Sequence, residues 1–195
     1  MSNQVLWYTT RGAGAVSLIL LSAVVVLGLL ARLRVEARGW PRFLSAAVHG
    51  DLALMTLVFL LLHIVTAIVD PFTHLGLVAA LVPFGSYYRT LWLGLGTISF
   101  ELLIAIVATS LLRRHIGART WRAIHWLAYA SWPVAVLHGI GTGTDSTASW
   151  MVAIDIVCIA SVLVAAGWRL LAAPPDPLAG ERRDAAERAS FGTGR

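Results

Sequence analysis

Long apolar segments separated by short polar clusters are the dominant pattern along this chain. Segments with no charged residue, or with a single acidic one, run over residues 13–31, 52–69, 90–112, 123–144 and 146–168. Each is long enough to cross a hydrocarbon core about 30 Å thick, which needs roughly 20 helical residues. The pattern therefore predicts an all-α integral membrane protein, a bundle of about five transmembrane helices.

The remaining segments complete the predicted organisation. The apolar stretch over residues 75–82 lies between two prolines and is too short to span, so we expect a loop resting on the membrane surface. The first apolar segment is expected to stay in the mature protein, because little positive charge precedes it and four further segments follow. Residues 1–172 are expected to form one transmembrane domain. Residues 173–195, rich in Pro and Gly with mixed charge, are expected to form a disordered cytoplasmic tail.

The distribution of charge predicts the orientation. The chain is 58% hydrophobic and 13% charged, and all fifteen basic residues are arginines. Thirteen of them lie in the loops after the first and third segments or from Arg169 onward, whereas Arg11 and Arg89 lie on the other side. Cytoplasmic loops carry the excess of basic residues. We therefore expect a multi-pass protein of the plasma membrane with its N-terminus outside and its C-terminus in the cytoplasm.

Several other classes of protein find no support. The net charge of +5 resides in loops that do not interleave aromatic and basic residues, so we expect no nucleic-acid partner. The single cysteine, Cys158, lies inside the last apolar segment and excludes a disulfide or a cysteine metal cluster within one chain. The uncharged stretch over residues 130–143 contains no nucleophile elbow, so hydrolytic chemistry is not indicated.

Four of the six histidines stand in two pairs near the ends of two apolar segments. HGDLALMTLVFLLLH runs from His49 to His63, and HWLAYASWPVAVLH runs from His125 to His138. The second and fourth spans run in the same direction, so His49 is expected to face His125, and His63 to face His138. The fourteen-residue step covers about 21 Å and returns to within about 40° of its starting direction. The thirteen-residue step is about 140° out of phase, and Pro133 can kink or rewind the helix to recover it.

Paired imidazoles at one depth predict haem. Polar side chains inside a membrane are costly and usually face a partner within the bundle. Two neutral imidazoles on facing helices are the axial ligands of six-coordinate haem iron. Small residues would let a porphyrin approach the backbone, among them Gly50, Ala53, Ala128, Ala130 and Gly139. We therefore expect two haem sites between parallel helices two and four.

Other interpretations of the histidines stay open. A single buried histidine is usually a satisfied core residue, and a zinc site would need three or four converging ligands. The main rival is a histidine-lined transporter or proton channel without haem. A third possibility is a scaffold that binds haem only to anchor a partner subunit. His74 and His115 are expected to lie in loops and have no assigned role.

The sequence resembles the ferric reductase-like transmembrane domain family. This family includes the membrane halves of NADPH oxidases and ferric reductases, and the haem subunit of a periplasmic methionine sulfoxide reductase system. The resemblance covers about residues 7–142 through WYTTRGAG, the histidine spacing, DPFTHLGLVAALVPFGSYYRTLW and LLRRHIGARTWRAIHWLAY. It implies that His49, His63, His125 and His138 ligate two b-type haems, and that the domain passes single electrons across or into the membrane.

The resemblance also bears on the electron donor. The larger members carry cytoplasmic flavin and nicotinamide domains, and no Gly-rich dinucleotide fingerprint follows the last apolar segment here. We therefore expect no flavin or nicotinamide domain in this chain. Electrons would come from a membrane quinol, which would make a quinone a further cofactor, or from a separate flavoprotein. The acceptor would be ferric iron or a periplasmic redox partner, and the chain would be one component of an oxidoreductase.

A few charged residues have two open interpretations each. Arg11 or Arg89 is expected to contact the outer haem's propionates or an anionic acceptor, the alternative being an interfacial anchor. Glu101 and Asp155 lie within apolar segments, where ionisable groups typically relay protons or bind quinones. The alternative is that each stays protonated and hydrogen-bonds a neighbouring helix. The tryptophans mostly fall at segment ends, as in an interfacial belt.

Overall fold

The computed structural model describes residues 2–32, 42–71 and 75–171, and these ranges are mainly helical, with no strand among them. Eight helices make up the described part: α1 (Ser2–Arg32), α2 (Arg42–Val69), α3 (Leu77–Leu81), α4 (Thr90–Leu111), α5 (Arg113–Ile116), α6 (Ala118–His125), α7 (Ala128–Thr142) and α8 (Ser149–Leu171). The predicted disordered tail and His74 lie outside the described residues.

Four of the described helices are long and apolar enough to cross a membrane. They are α1, α2, α4 and α8, over Gln4–Ala31, Leu44–Val69, Thr90–Leu111 and Ser149–Leu171. The prediction of an all-helical membrane protein is thus confirmed. The predicted fourth span is divided into α6 and α7, and α7 has only 15 residues. The count of five spans therefore stays a prediction.

The division between α6 and α7 reflects a local change of winding. Backbone N–H groups donate across three residues, from Leu127 to Ile124 and from Tyr129 to Trp126. Such 3₁₀ bonds advance the chain by about 120° per residue instead of about 100°. The tighter turn rotates the second histidine of this span toward the direction of the first. Pro133 lies inside α7, so the expected rewinding occurs before the proline rather than at it.

Helix α1 lies at the centre of the bundle. It packs along α2 and also contacts α7 and α8, while α4 packs on α7. The buried core contains side chains from four helices: Leu18, Leu21, Val25, Leu29, Leu103, Trp132, Val136, Cys158, Val162 and Ala165. Buried hydrogen bonds also cross between helices within this region. Trp132 Nε1 donates to the Ser22 hydroxyl at 2.9 Å, and the Ser99 hydroxyl donates to the Ser131 carbonyl at 3.1 Å.

The predicted surface loop over residues 75–82 contains one short helix, α3. Its Leu77, Val78 and Leu81 side chains are exposed, as expected of a segment resting on a membrane surface. Its inner side is fixed to α4, because the Thr97 hydroxyl donates to the Ala79 carbonyl at 2.9 Å. This segment closes one side of the cavity described below.

Replacing Trp132 with phenylalanine is expected to lower the free energy of unfolding by at least about 1 kcal/mol, because the variant loses a buried hydrogen bond and leaves a gap. Ser22→Ala removes the same bond from the other side. The two costs should therefore not add in the double variant. Thermal unfolding of the purified protein in detergent, followed by helical circular dichroism, measures all three. Fully additive costs would contradict the coupling.

Candidate functional site

The four candidate histidines come together as two pairs. The ring centroids of His49 and His125 lie 6.1 Å apart with the ring planes at 58°. Those of His63 and His138 lie 6.3 Å apart with the planes at 82°. We call these the first and the second histidine pair. The first pair joins the earlier parts of α2 and of the α6–α7 segment, and the second pair joins their later parts. The two segments therefore run in the same direction, as expected.

The separation within each pair suits one metal ion held between two imidazoles. With metal–nitrogen bonds of about 2.0 Å, two imidazoles on opposite sides of one ion have ring centroids about 6 Å apart. Both pairs meet this requirement. Among the described residues there is no group of three or more His, Cys, Asp or Glu that could hold a metal ion. Each pair therefore provides two imidazole donors, and a haem macrocycle would supply the remaining ligands of its own iron.

Hydrogen bonds define the ring protonation of the second pair. His63 Nδ1 donates to the Thr10 carbonyl at 2.7 Å, and His138 Nδ1 donates to the Trp92 carbonyl at 2.8 Å. A carbonyl oxygen can only accept, so the proton lies on Nδ1 and a neutral ring keeps a free lone pair on Nε2. Metal-ligating histidines commonly donate their other N–H to a backbone carbonyl in this way. The second pair thus has the hydrogen-bond arrangement that is common among metal-ligating histidines.

The first pair is held differently. The Nδ1 atoms of His49 and His125 are buried and make no hydrogen bond within the described part of the chain. The Val24 carbonyl lies near the His49 ring, but the contact falls short of hydrogen-bond geometry. The His125 ring stacks on Trp121 at 5.1 Å, and Trp121 Nε1 donates to the Ser110 hydroxyl at 3.2 Å. Aromatic packing therefore orients His125.

A cavity of about 360 Å³ contains the second pair. It is lined by His63 and His138 together with mainly apolar residues of α1, α2, α4, α7 and the α3 segment. This volume lies in the usual range for cofactor sites, about 300–1,000 Å³. A flat apolar macrocycle is compatible with such walls.

The two arginines singled out in the sequence occupy different places. Arg11 lines the cavity, forms an ion pair with Asp145, and lies 3.8 Å above the Trp7 ring centroid. Arg89 is absent from the cavity lining, and its guanidinium donates to the Gly141 carbonyl at the end of α7. Of the two, Arg11 has the better position for an anionic group of a bound cofactor.

The intramembrane acids lie apart from this cavity. Glu101 is exposed on α4, whereas Asp155 is buried in α8 with no partner for Oδ1 among the described residues. Neither residue lines the cavity of the second pair. Their suggested roles in proton transfer or quinone binding stay predictions.

Sequence reasoning missed the contribution of α1 to the site. Thr10 and Gly14 of α1 contact His63, and Gly28 contacts His49. A carbonyl acceptor leaves no trace in the sequence, because every residue has one. The signal that could have been found is the fourteen-residue step from Gly14 to Gly28, which equals the step from His49 to His63.

The fold and the site define an all-helical integral membrane protein with two internal imidazole pairs. The family model described as ferric reductase like transmembrane component matches residues 13–136, more than half of the chain. The chain belongs to this family, which confirms the resemblance. Such domains generally bind haem, and the family indicates electron transfer across a membrane. No curated protein and no solved structure matches the chain significantly.

Proposed function

We propose that this protein is a b-type membrane cytochrome that passes single electrons through two bis-histidine haems. The observation that carries the proposal is the matched geometry of the two pairs, with ring centroids 6.1 and 6.3 Å apart on helices that run in the same direction. One such pair could be an accident of packing. Two pairs on the same two segments, both at the separation that a six-coordinate iron requires, favour haem binding.

Each residue has a defined part in this function. His49 and His125 would hold one haem, and His63 and His138 the other; bound haem iron supplies one-electron chemistry. The Thr10 and Trp92 carbonyls hold the Nδ1 protons, which would leave each Nε2 free to bind the iron. Arg11, balanced by Asp145, would bind the propionates at the cavity edge. The mainly apolar lining of the cavity would limit the access of water to the site.

The remaining assignments follow from orientation and family. The excess of arginine after the first and third apolar segments favours a plasma-membrane protein with its N-terminus outside. The first pair would then lie near the cytoplasmic face and the second near the outer face. Membrane quinol or a separate flavoprotein would donate electrons, and ferric iron or a periplasmic redox partner would accept them.

The rival proposal, a histidine-lined channel without haem, needs imidazoles that exchange protons with water. It is disfavoured because carbonyls occupy the Nδ1–H groups of His63 and His138. Haem content decides between the two. Protein purified from haem-replete membranes should contain about two b-type haems per chain and show b-type bands in its reduced-minus-oxidised spectrum. Absence of these bands, with proton conduction in liposomes, would establish the rival.

Electron transfer needs its own test. Liposomes carrying the protein should reduce an enclosed ferric chelate when a quinol analogue or a reduced flavoprotein is added outside. Haem-free protein prepared in parallel is the control. Haems that the donors do not reduce, with no transfer to the chelate, would favour the scaffold interpretation.

A further inference from the structure

Three of the four histidine rings lie against a glycine of a neighbouring helix. A Cβ atom on Gly96 would lie 2.5 Å from His138 Nδ1, and one on Gly14 would lie 2.9 Å from His63 Nδ1. Both distances are too short for any side chain, so only glycine is compatible with these ring positions. A Cβ on Gly28 would lie 3.4 Å from His49 Cε1, which is close but tolerable.

Each glycine follows a carbonyl that faces the same histidine. The carbonyl four residues before Gly14 is that of Thr10, and the one four residues before Gly96 is that of Trp92; both accept the Nδ1–H of the ring. In a helix, the side chain at position i+4 leans back over the carbonyl of position i. A glycine at i+4 uncovers that carbonyl, so a second donor can reach it. We call this combination a carbonyl–glycine seat.

The seats on α1 match the histidines on α2 in spacing and direction. His63 contacts Gly14 and His49 contacts Gly28, so the two helices are antiparallel, and both steps are fourteen residues. The Val24 carbonyl lies four residues before Gly28, where the second seat requires it, although its contact with His49 does not meet hydrogen-bond geometry. Helix α1 therefore presents two equivalent places at the depths of the two histidine pairs.

The fourth histidine has a different support. On α4, the residue fourteen positions after Gly96 is Ser110, and its hydroxyl accepts the Nε1–H of Trp121, which stacks on His125. The Ser110 hydroxyl and the Trp121 indole thus occupy the position that a fourth carbonyl–glycine seat would have. This explains why His125 Nδ1 has no acceptor within the described part of the chain.

We propose that the carbonyl–glycine seats of α1 and α4 are positioning elements for the metal-binding histidines. They set the ring orientation of His63 and His138 completely, and that of His49 in part, and they keep the Nδ1 proton away from the metal. This inference rests on the proposed haem function. Gly14, Gly28 and Gly96 touch the rings and are therefore positioning residues, not ligands.

A graded alanine series tests the inference on the purified haem protein. Gly96→Ala and Gly14→Ala should both shift or abolish the low-spin electron paramagnetic resonance signal and the reduction potential of the same single haem. Gly28→Ala should affect the other haem, and less strongly. Gly12→Ala is the matched control on α1, because its Cβ would meet no atom within 4 Å. Alanine favours helix over glycine, so helix propensity cannot cause the losses.

The two proposals fail in different ways. Wild-type protein without haem would overturn the proposed function. If wild-type protein binds two haems and both signals are unchanged in Gly96→Ala and Gly14→Ala, the seats are overturned while the haem function stands. Retention of the unaffected haem within the same variant shows that the bundle has folded. Equal loss of both haems in every variant, including Gly12→Ala, would also overturn the seats.

Discussion

Replacing His138 with alanine is expected to remove one of the two haems and to leave the other in place. The residue belongs to the second pair only, and the first pair is built from other parts of the same two helical segments. A six-coordinate haem that loses one of its two protein ligands should no longer be retained. Because the other haem stays, the haem-to-protein ratio should fall by about half. His63→Ala should give the same spectrum, whereas His49→Ala and His125→Ala should remove the opposite haem.

His115→Ala is the matched control for this series. His115 is an exposed histidine of α5 and belongs to neither pair. Haem quantification and reduced-minus-oxidised spectra of all five variants make the comparison. A full haem complement in His138→Ala would remove His138 from the ligand set. Loss of haem in His115→Ala would show that the assay reports general damage. Added free imidazole should restore the missing signal in His138→Ala if the vacated space is the ligand position.

The membrane fold could be predicted from the sequence because the bilayer limits the solutions. A helix that crosses a bilayer of fixed thickness needs a minimum length, and its backbone N–H and C=O groups must find partners within the protein. Four of the five predicted spans appear as continuous helices. The exception was not predictable in detail: a proline in the sequence signals some rewinding, but the 3₁₀ turn forms at Trp126 and Leu127, before Pro133. Packing against neighbouring helices decides where such a turn forms.

The histidine pairing was predictable for a similar reason. A fourteen-residue step on a regular helix brings two side chains to one face, and the common direction of the spans follows from the number of crossings between them. The seats were not predicted, because they depend on the rotation of α1 about its axis. Gly12 and Gly14 are both on α1, yet only Gly14 meets a histidine. Rotation is set by tertiary contacts that a single sequence does not contain.

Charge patterns predict sides of the membrane but carry no information about contacts. Arg11 and Arg89 were equivalent candidates in the sequence. In the structure, Arg11 lines the cavity, whereas Arg89 holds the end of α7 through the Gly141 carbonyl. The long arginine side chain reaches several partners from one backbone position. Which partner it meets depends on the path of the loop before α4, where Arg89 itself has a left-handed backbone with φ of 42°.

Replacing Gly141 with alanine is expected to destabilise the second site strongly. The Trp92 ring lies directly against Gly141, so an added Cβ would collide with it. Overpacking of this kind costs about 1–3 kcal/mol of stability. The Trp92 carbonyl also holds His138 Nδ1. Displacement of Trp92 should therefore also displace His138. The haem of the second pair should then show a shifted spectrum and weaker retention, whereas the haem of the first pair should be unchanged.

A matched control and a compensating variant make this prediction specific. Gly167→Ala places the same methyl group on α8, where no atom lies within 4 Å, and alanine there should be neutral or stabilising by up to about 1 kcal/mol. Trp92→Leu removes most of the obstructing ring, so combining it with Gly141→Ala should cost less than the sum of the single variants. Thermal unfolding in detergent and the spectrum of the second haem measure both effects. If Gly141→Ala behaves like Gly167→Ala, the contact between Trp92 and Gly141 does not hold the second site together.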